Sequence, residues 1–551
     1  MLSLSRNEFF LPVLKIIFMK FCCHALIFVF ALHTVFSSTQ RPNIVFILAD
    51  DLGYGDVKAF GGDKSKVETP HFDRLCKEGI KFTNAHVTDS VCVPSRTSIM
   101  TGRYAFRFGK GEQGGPWGFI GLRFPTSQHT VGKMFRKGGY STGYVGKWHL
   151  GTRMTTKDGK IQGPENTDFK KPIAVGPTDY GFDHCFFLPG SLDMFPYAYI
   201  KGKDWQGKGT AQKGWSAFNR VGPAAEDFLD TEVLSTFCDE AGKFISAEAK
   251  NEKPFFLFVG LTAPHTPSSP ESDFEGKSPI GVYGDFVMNT DACIGRIREH
   301  LRKAGLEKNT LLIVSSDHGP GHYSGPERKA IANQMKVMEK QGHYSRGPWR
   351  GYKFSGYEGG LRVPLAAIWP GVIKSGIENN SLVGLVDLMA TWAEIVGVNL
   401  DPSLAPDSIS FLPYLKNQKA QTRNHLLARG SRADVYYEDH WKLIFGPGSG
   451  SSGPFYTEPR SEDAWKEAII NFGKKPKNHK ELENPAFIQL YDLKSDPAEK
   501  QNLAKSHFGQ AQKMIKAYAK IVEDGRTTPG PKLSNDRPLK TFRPPGFVWK
   551  K

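Results

Sequence analysis

The sequence predicts an α/β protein: a mostly parallel central sheet flanked by helices, followed by a smaller C-terminal α+β domain. Three observations predict it. Short runs at 43–49, 140–145, 253–260 and 310–316 read as strands, and the apolar stretches within 43–49, 253–260 and 310–316 are those of strands buried on both faces. They alternate with stretches of helical periodicity, the pattern of a parallel sheet with crossover helices. Beyond residue 414 the pattern changes to short strand-like runs around 442–444 and 490–493 and one helix over 501–523.

Ahead of the first strand, Arg6, Lys15 and Lys20 precede an apolar stretch over 21–36, followed by Ser37 and Ser38. A charged region, an apolar core and small residues are the parts of a cleaved export signal, here 1–38. A membrane anchor is the rival, but the stretch is short of the roughly 20 apolar residues a span needs. No stable membrane span is therefore expected. Export gives a secreted or periplasmic location, or a lysosomal one in an animal.

The first strand ends in Asp50 and Asp51. Strand C-terminal ends are where open α/β sheets bind ligands, and two carboxylates fixed there suit a hard cation. A helix over 70–79 opens at Pro70 and closes at Gly79. Then comes Cys92-Val93-Pro94-Ser95-Arg96. Pro94 suits the first turn of a helix reaching Gly102, which puts Cys92 at a helix N-terminus, a place that favours an anion. Taken alone, the motif reads equally as a buried cysteine beside a turn proline.

A helix over 129–137 leads to the strand 140–145. Lys147 and His149 follow, two apart and so on one side of an extended segment. Residues 157–213 are rich in Gly, Pro and aromatics and read as loops building a substrate pocket, with Tyr197, Tyr199 and Trp205 as faces for sugar rings. A helix over 226–247 precedes the strand 253–260, which hands over to His265 between Pro264 and Pro267. A helix over 282–304 precedes the strand 310–316, which ends in Asp317 and His318. Four strands thus finish in polar clusters, and a parallel sheet brings those ends to one crevice. The stretch 350–364 adds Lys353.

The domains read as an export signal 1–38, a catalytic domain 39–401, a linker 402–413, a small domain 414–526 with antiparallel strands and a helix, and a proline-rich tail 527–551. At 551 residues the chain has length for a large core and two domains. Its formal net charge of +16 attracts anionic partners. No nucleic-acid-binding motif accompanies the charge, so nucleic acid is not an expected partner. Two of the seven cysteines, Cys22 and Cys23, fall in the signal, and the spread of the rest excludes a disulfide framework.

The segments 43–56, 92–103, 146–151, 263–267, 316–320, 350–364 and 490–503 together resemble the type I sulfatase family in order and spacing. The resemblance spans nearly all of the chain after the signal. It implies an alkaline-phosphatase-like fold and a calcium or magnesium ion held by Asp50, Asp51, Cys92, Asp317 and His318. Many members carry Asn where this chain has His318. It further implies that Cys92 is converted to formylglycine, with a formylglycine-generating or anaerobic maturation enzyme as a partner. By the same resemblance one hydroxyl of the hydrated aldehyde attacks sulfur. Arg96 and Lys147 stabilise charge. His265 and Lys353 bind sulfate and assist the departing alcohol, and His149 takes the proton that lets sulfate leave. The expected activity is hydrolysis of sulfate esters, on sulfated carbohydrates or aryl sulfates. The alternatives are a phosphonate monoester or phosphodiester hydrolase using the same aldehyde, and a non-catalytic binder of sulfated glycans with Cys92 unmodified.

Overall fold

The structure is a computed structural model and describes residues 41–215, 218–451, 461–473, 476, 484–540 and 542. The expected export signal lies outside them. The described residues from 42 onward form one compact unit.

Its centre is a ten-stranded sheet. The order is Ile377–Asn379, Ile80–Phe82, Leu365–Ile368, Thr310–Ser316, Asn43–Asp50, Phe255–Pro264, Ser141–Lys147, His184–Leu188, Tyr199–Lys201, Asp204–Gln206. The five strands from Thr310–Ser316 to His184–Leu188 run parallel to their neighbours. Leu365–Ile368 pairs antiparallel on one flank and Tyr199–Lys201 on the other. The expected α/β class is therefore borne out.

Helices cover both faces, which is why the central strands are continuously apolar. Pro70–Glu78, Val233–Glu248 and Val282–Lys303 pack as one group, and Cys92–Thr101, Val131–Lys137 and Leu388–Val396 as another. Alternation along one strand shows the division. Phe256 stacks on Phe135 at 3.9 Å between ring centres and meets Trp392, whereas Phe255 meets Phe244.

The stretch 157–213, read as pocket-building loops, instead carries the fifth parallel strand and extends the sheet edge. Tyr197 is buried, and Tyr199 stacks on Phe186 within the core. Trp205 is half-buried against Phe169. Each of the three is thus engaged in packing, Tyr197 fully and Tyr199 and Trp205 in part.

The C-terminal part is a four-stranded antiparallel sheet, His425–Arg429, Asp434–Glu438, Trp441–Phe445 and Gln489–Asp492, with the helix Phe508–Asp524 packed against Asp434–Glu438. Of residues 402–413, read as a linker, 402–404 are exposed and the rest is packed down: Asp407 is buried and takes a two-pronged bond from Arg107. Of the expected tail, Thr527 and Thr528 bond to Pro406, and Asp536 pairs with Arg103. A buried charge cluster ties the two sheets together. Glu358 bonds Lys442 at 2.9 Å, Tyr437 at 2.7 Å, His86 at 2.9 Å and Arg362 at 2.7 Å, and Lys442 also bonds Glu499 at 2.7 Å.

Candidate functional site

The parallel strands end together, and their ends carry the polar residues. Asp50 closes Asn43–Asp50, and Asp51 follows in the left-handed region, φ 65°, a turn that aims its carboxylate back toward its neighbour's. Lys147 closes Ser141–Lys147, and His149 also sits at positive φ, 54°. His265 follows Phe255–Pro264, while Asp317 and His318 follow Thr310–Ser316. Cys92 is the first residue of Cys92–Thr101, which ends on Gly102 at φ 63°. All the expected site residues are buried: Asp50, Asp51, Cys92, Arg96, Lys147, His149, His265, Asp317, His318 and Lys353.

They meet around the Cys92 sulfur. Its Sγ lies 3.1 Å from His318 Nε2, 3.4 Å from Lys353 Nζ and 3.6 Å from Asp50 Oδ1. Lys147 Nζ donates to Asp50 Oδ2 at 2.5 Å, and Lys353 Nζ to both Asp51 oxygens at 2.8 and 3.0 Å. Arg96 Nε donates to Asp317 Oδ2 at 2.9 Å, and Asp317 Oδ1 accepts from the Asp51 N–H at 3.1 Å. His265 Nδ1 lies 2.6 Å from the Thr266 carbonyl, a contact that requires a proton on Nδ1 and leaves Nε2 facing Asp51 Oδ2 at 3.8 Å.

Burial disfavours charge on all of these groups, so their neighbours decide which stay ionised. Burial opposes ionisation of the Cys92 thiol, yet Lys147, Lys353 and His318 hold it well below the usual thiol range. Burial likewise opposes charge on Asp50, and Lys147 overcomes it, drawing the carboxyl down. Burial pushes Asp317 up to about 6 despite His318 and Arg96. Burial also opposes charge on His318, but Asp317, Cys92 and Asp51 raise it to about 9. His149 is drawn down by burial. His265 is raised by Asp51, Asp50 and Asp193 against burial and Lys353.

Residues 42–398 match the family model described as Sulfatase. The chain belongs to the sulfatase family. It is 30% identical over 533 residues to an N-acetylgalactosamine-6-O-sulfatase of Bacteroides thetaiotaomicron, covering 89% of this chain and 94% of that one. It is 30% identical over 404 residues to the human N-acetylgalactosamine-6-sulfatase, covering 71% and 69%. Among solved structures it resembles a Bacteroides thetaiotaomicron 6S sulfatase described under metabolism of multiple glycosaminoglycans. The TM-score is 0.72 and the identity 29%, over 88% of this chain and 99% of that one.

In this sulfatase the donor set fits a divalent cation. Ligand atoms of Asp50, Asp51, Cys92 and His318 all lie within 4.8 Å of one another. Asp317 completes the expected five, its Oδ1 lying 3.6 Å from His318 Nε2. Three buried carboxylates beside one imidazole are what a hard cation takes. Burial raises Asp317 and the nearby Asp50 adds to it, a cost that such a cation would relieve. His318 Nδ1 lies 2.9 Å from the Gly319 carbonyl, which fixes the tautomer and turns Nε2 toward the other donors.

Three residues beside the sulfatase site escaped the sequence reading. Ser191 Oγ donates to Asp50 Oδ2 at 3.2 Å, and Asp193 Oδ1 lies 3.8 Å from His265 Nδ1. Tyr323 OH lies 3.5 Å from Asp51 Oδ2. The first two follow the strand His184–Leu188, so the apolar run 185–188 was the signal that could have found them. Tyr323 lies in an irregular stretch, and nothing in the local sequence marks it.

Proposed function

We propose that the protein is an exported sulfatase that hydrolyses sulfate esters of carbohydrates, with residue 92 working as formylglycine beside a calcium or magnesium ion. The observation that carries this reading is the setting of Cys92: the first residue of a helix, its sulfur beside His318, Lys353 and Asp50, with Lys147 paired to Asp50 and Lys353 to Asp51. The relatives' names put N-acetylgalactosamine 6-sulfate first among sugars to try. The net charge of +16 suits a polyanionic glycan.

When present, the ion held by Asp50, Asp51, Asp317, His318 and residue 92 would supply polarisation of oxygen, and the hydrated aldehyde an oxygen nucleophile. The chain's own residues do the rest. Lys147 and Lys353 carry fixed ammonium groups into the pocket, where they bind sulfate oxygens and stabilise growing negative charge. Arg96 holds Asp317 and, at 3.7 Å, faces Asp50, so it keeps the carboxylates in place. His265 keeps one proton on Nδ1 against the Thr266 carbonyl and, being raised, holds a second on Nε2, which makes Nε2 the donor to the departing alcohol. His149 is drawn down and neutral, which makes it the acceptor that clears the site for the next cycle.

The mass of the peptide containing residue 92 tests the reading, together with turnover. Exported protein is expected to carry the aldehyde and to desulfate a sulfated oligosaccharide with higher kcat/KM than nitrophenyl sulfate, since remote sugar contacts add to transition-state binding. Cys92→Ala is expected to remove turnover and keep the fold. An intact thiol with no turnover on a broad panel of sulfate esters would overturn the proposal. Faster turnover of an aryl phosphonate would reassign the chemistry.

A further inference from the structure

We propose that Trp117 and Arg220 form a subsite beside the sulfate pocket, which takes an anionic sugar ring next to the sugar being desulfated. This rests on the sulfated-carbohydrate reading above and adds the residues that would recognise the neighbouring unit.

Trp117 is one of the few large apolar side chains on the surface, 38% exposed. Its backbone is in the left-handed region, φ 56°, which a bulky residue adopts only where the surroundings hold it. Two contacts hold it here. The Gly118 N–H donates to the Phe195 carbonyl at 3.0 Å, and a Cβ on Gly118 would come within 2.8 Å of that oxygen. Phe195 in turn lies where a Cβ on Gly222 would come within 2.2 Å of its ring. Three loops therefore interlock beneath an exposed indole.

Arg220 lies on that indole, its guanidinium carbon 3.4 Å from the ring centre. Its loop is braced by Tyr197, whose hydroxyl donates to the Arg220 carbonyl at 2.7 Å. Arg220 Nη1 makes three bonds: to the Asp193 carbonyl at 2.8 Å, Asp193 Oδ2 at 2.7 Å and the Phe218 carbonyl at 2.9 Å. Among the described residues none takes Nη2 or Nε. A guanidinium fixed in plane by stacking and by one nitrogen presents its other edge as a two-pronged donor, the geometry that binds carboxylate or sulfate. The pair also adjoins the reacting centre. Asp193 is 3.8 Å from His265, and the Phe218 ring is 6.2 Å from the His265 ring. A sugar joined to the sulfated one would therefore meet an aromatic surface for its ring and a fixed cation for its acid group. The expected occupant is a uronic acid or a second sulfated sugar.

The test compares three substrates: a 6-sulfated N-acetylhexosamine, the same sugar carrying a uronic acid, and that disaccharide with the carboxylate reduced to an alcohol. The wild type is expected to prefer the uronate disaccharide, and added salt to weaken the preference. Trp117→Ala and Arg220→Met are each expected to reduce the disaccharide-to-monosaccharide ratio of kcat/KM by about tenfold. Trp117→Phe should keep most of it, which shows that the ring rather than the fold is at issue. The reduced disaccharide should respond to Trp117→Ala and not to Arg220→Met. An undiminished ratio in both variants overturns the subsite while leaving the sulfatase reading standing. A wild type that desulfates none of the three overturns both.

Discussion

His149 and Asp291 show two uses of a buried titratable side chain. His149 Nδ1 is buried with no hydrogen bond among the described residues, and burial keeps the ring neutral. Loss of a general base costs about 10²–10⁴-fold, so His149→Ala is expected to reduce kcat on that scale in steady-state assays, with the melting temperature unchanged. A loss of only a fewfold would move the role to another group. Asp291 lies far from the sulfate pocket in sequence and has a structural task. It accepts from the N–H groups of His71 at 3.0 Å and Phe72 at 2.8 Å, and so caps the helix Pro70–Glu78. Burial pushes it up to about 7. A carboxyl raised by folding binds its proton more tightly in the folded chain. Its stabilising share is complete below the unfolded value of about 3.9 and is lost as pH rises through 7. Asp291→Asn removes that loss and keeps an acceptor. The melting temperature of the variant minus that of the wild type is expected to rise between about pH 5 and about pH 8. A difference that stays flat would mean the carboxylate is comfortable ionised.

At the scale of elements, the helix Cys92–Thr101 depends on its last turn. Gly102 is left-handed, and an added Cβ would come within 2.7 Å of the Ala405 Cβ and 3.0 Å of the Met389 Cβ. Gly102→Ala is therefore strained twice, and a loss of about 1–3 kcal/mol in denaturant unfolding is expected. Wild-type stability would show that the helix end shifts freely. Elements also set what the sequence could disclose. The strands bearing Asp50, Lys147, His265 and Asp317 were legible because each is a compact run with its polar residue at one end. His184–Leu188 was not, because Gly, Pro and aromatics around it look like loop. Ile80–Phe82 and Leu365–Ile368 are too short to carry a period, and long-range pairing alone makes them strands. Site residues at strand ends could therefore be named, while Ser191 and Asp193 were missed because the run 185–188 ahead of them was read as loop. Trp117 opens a single 3-10 turn, Trp117–Phe119, and Arg220 lies on a loop, so only the fold brings them together.

At the scale of the molecule, the main sheet and the C-terminal sheet share their charges. Lys442 is fully buried between Glu358 and Glu499, and Glu358, five residues after Lys353, opens the short helix Glu358–Leu361. Lys442→Met would leave two buried carboxylates short of a partner, a change that costs about 3–5 kcal/mol. Equilibrium unfolding measures it, and a loss under about 1 kcal/mol would show that water or Arg362 compensates. The domain limits read from sequence placed a linker at 402–413, but burial of Asp407 by Arg107 makes that segment part of the packing. Sequence shows composition shifts and not which surfaces meet, so this contact was hidden. The carboxylates at the sulfate pocket give a further expectation. Stripping a bound divalent cation leaves Asp50, Asp51 and Asp317 crowded, so chelation is expected to lower both activity and melting temperature. Indifference of both to prolonged chelation would count against the ion.

The enclosure of Cys92 also sets an order of events in time. The residue is 3% exposed, beneath strand ends drawn from residues 50 to 317. The segment that clasps Arg103 and Arg107, just past its helix, is residues 535–536, with Asp536 made 433 positions after Arg103. An enzyme that rewrites the side chain of residue 92 must reach it while the chain is still open. The interval between synthesis of residue 92 and closure by the C-terminal segment is then the only opportunity. Under the formylglycine proposal, protein already folded with the thiol is expected to accept the modification only after it is unfolded again.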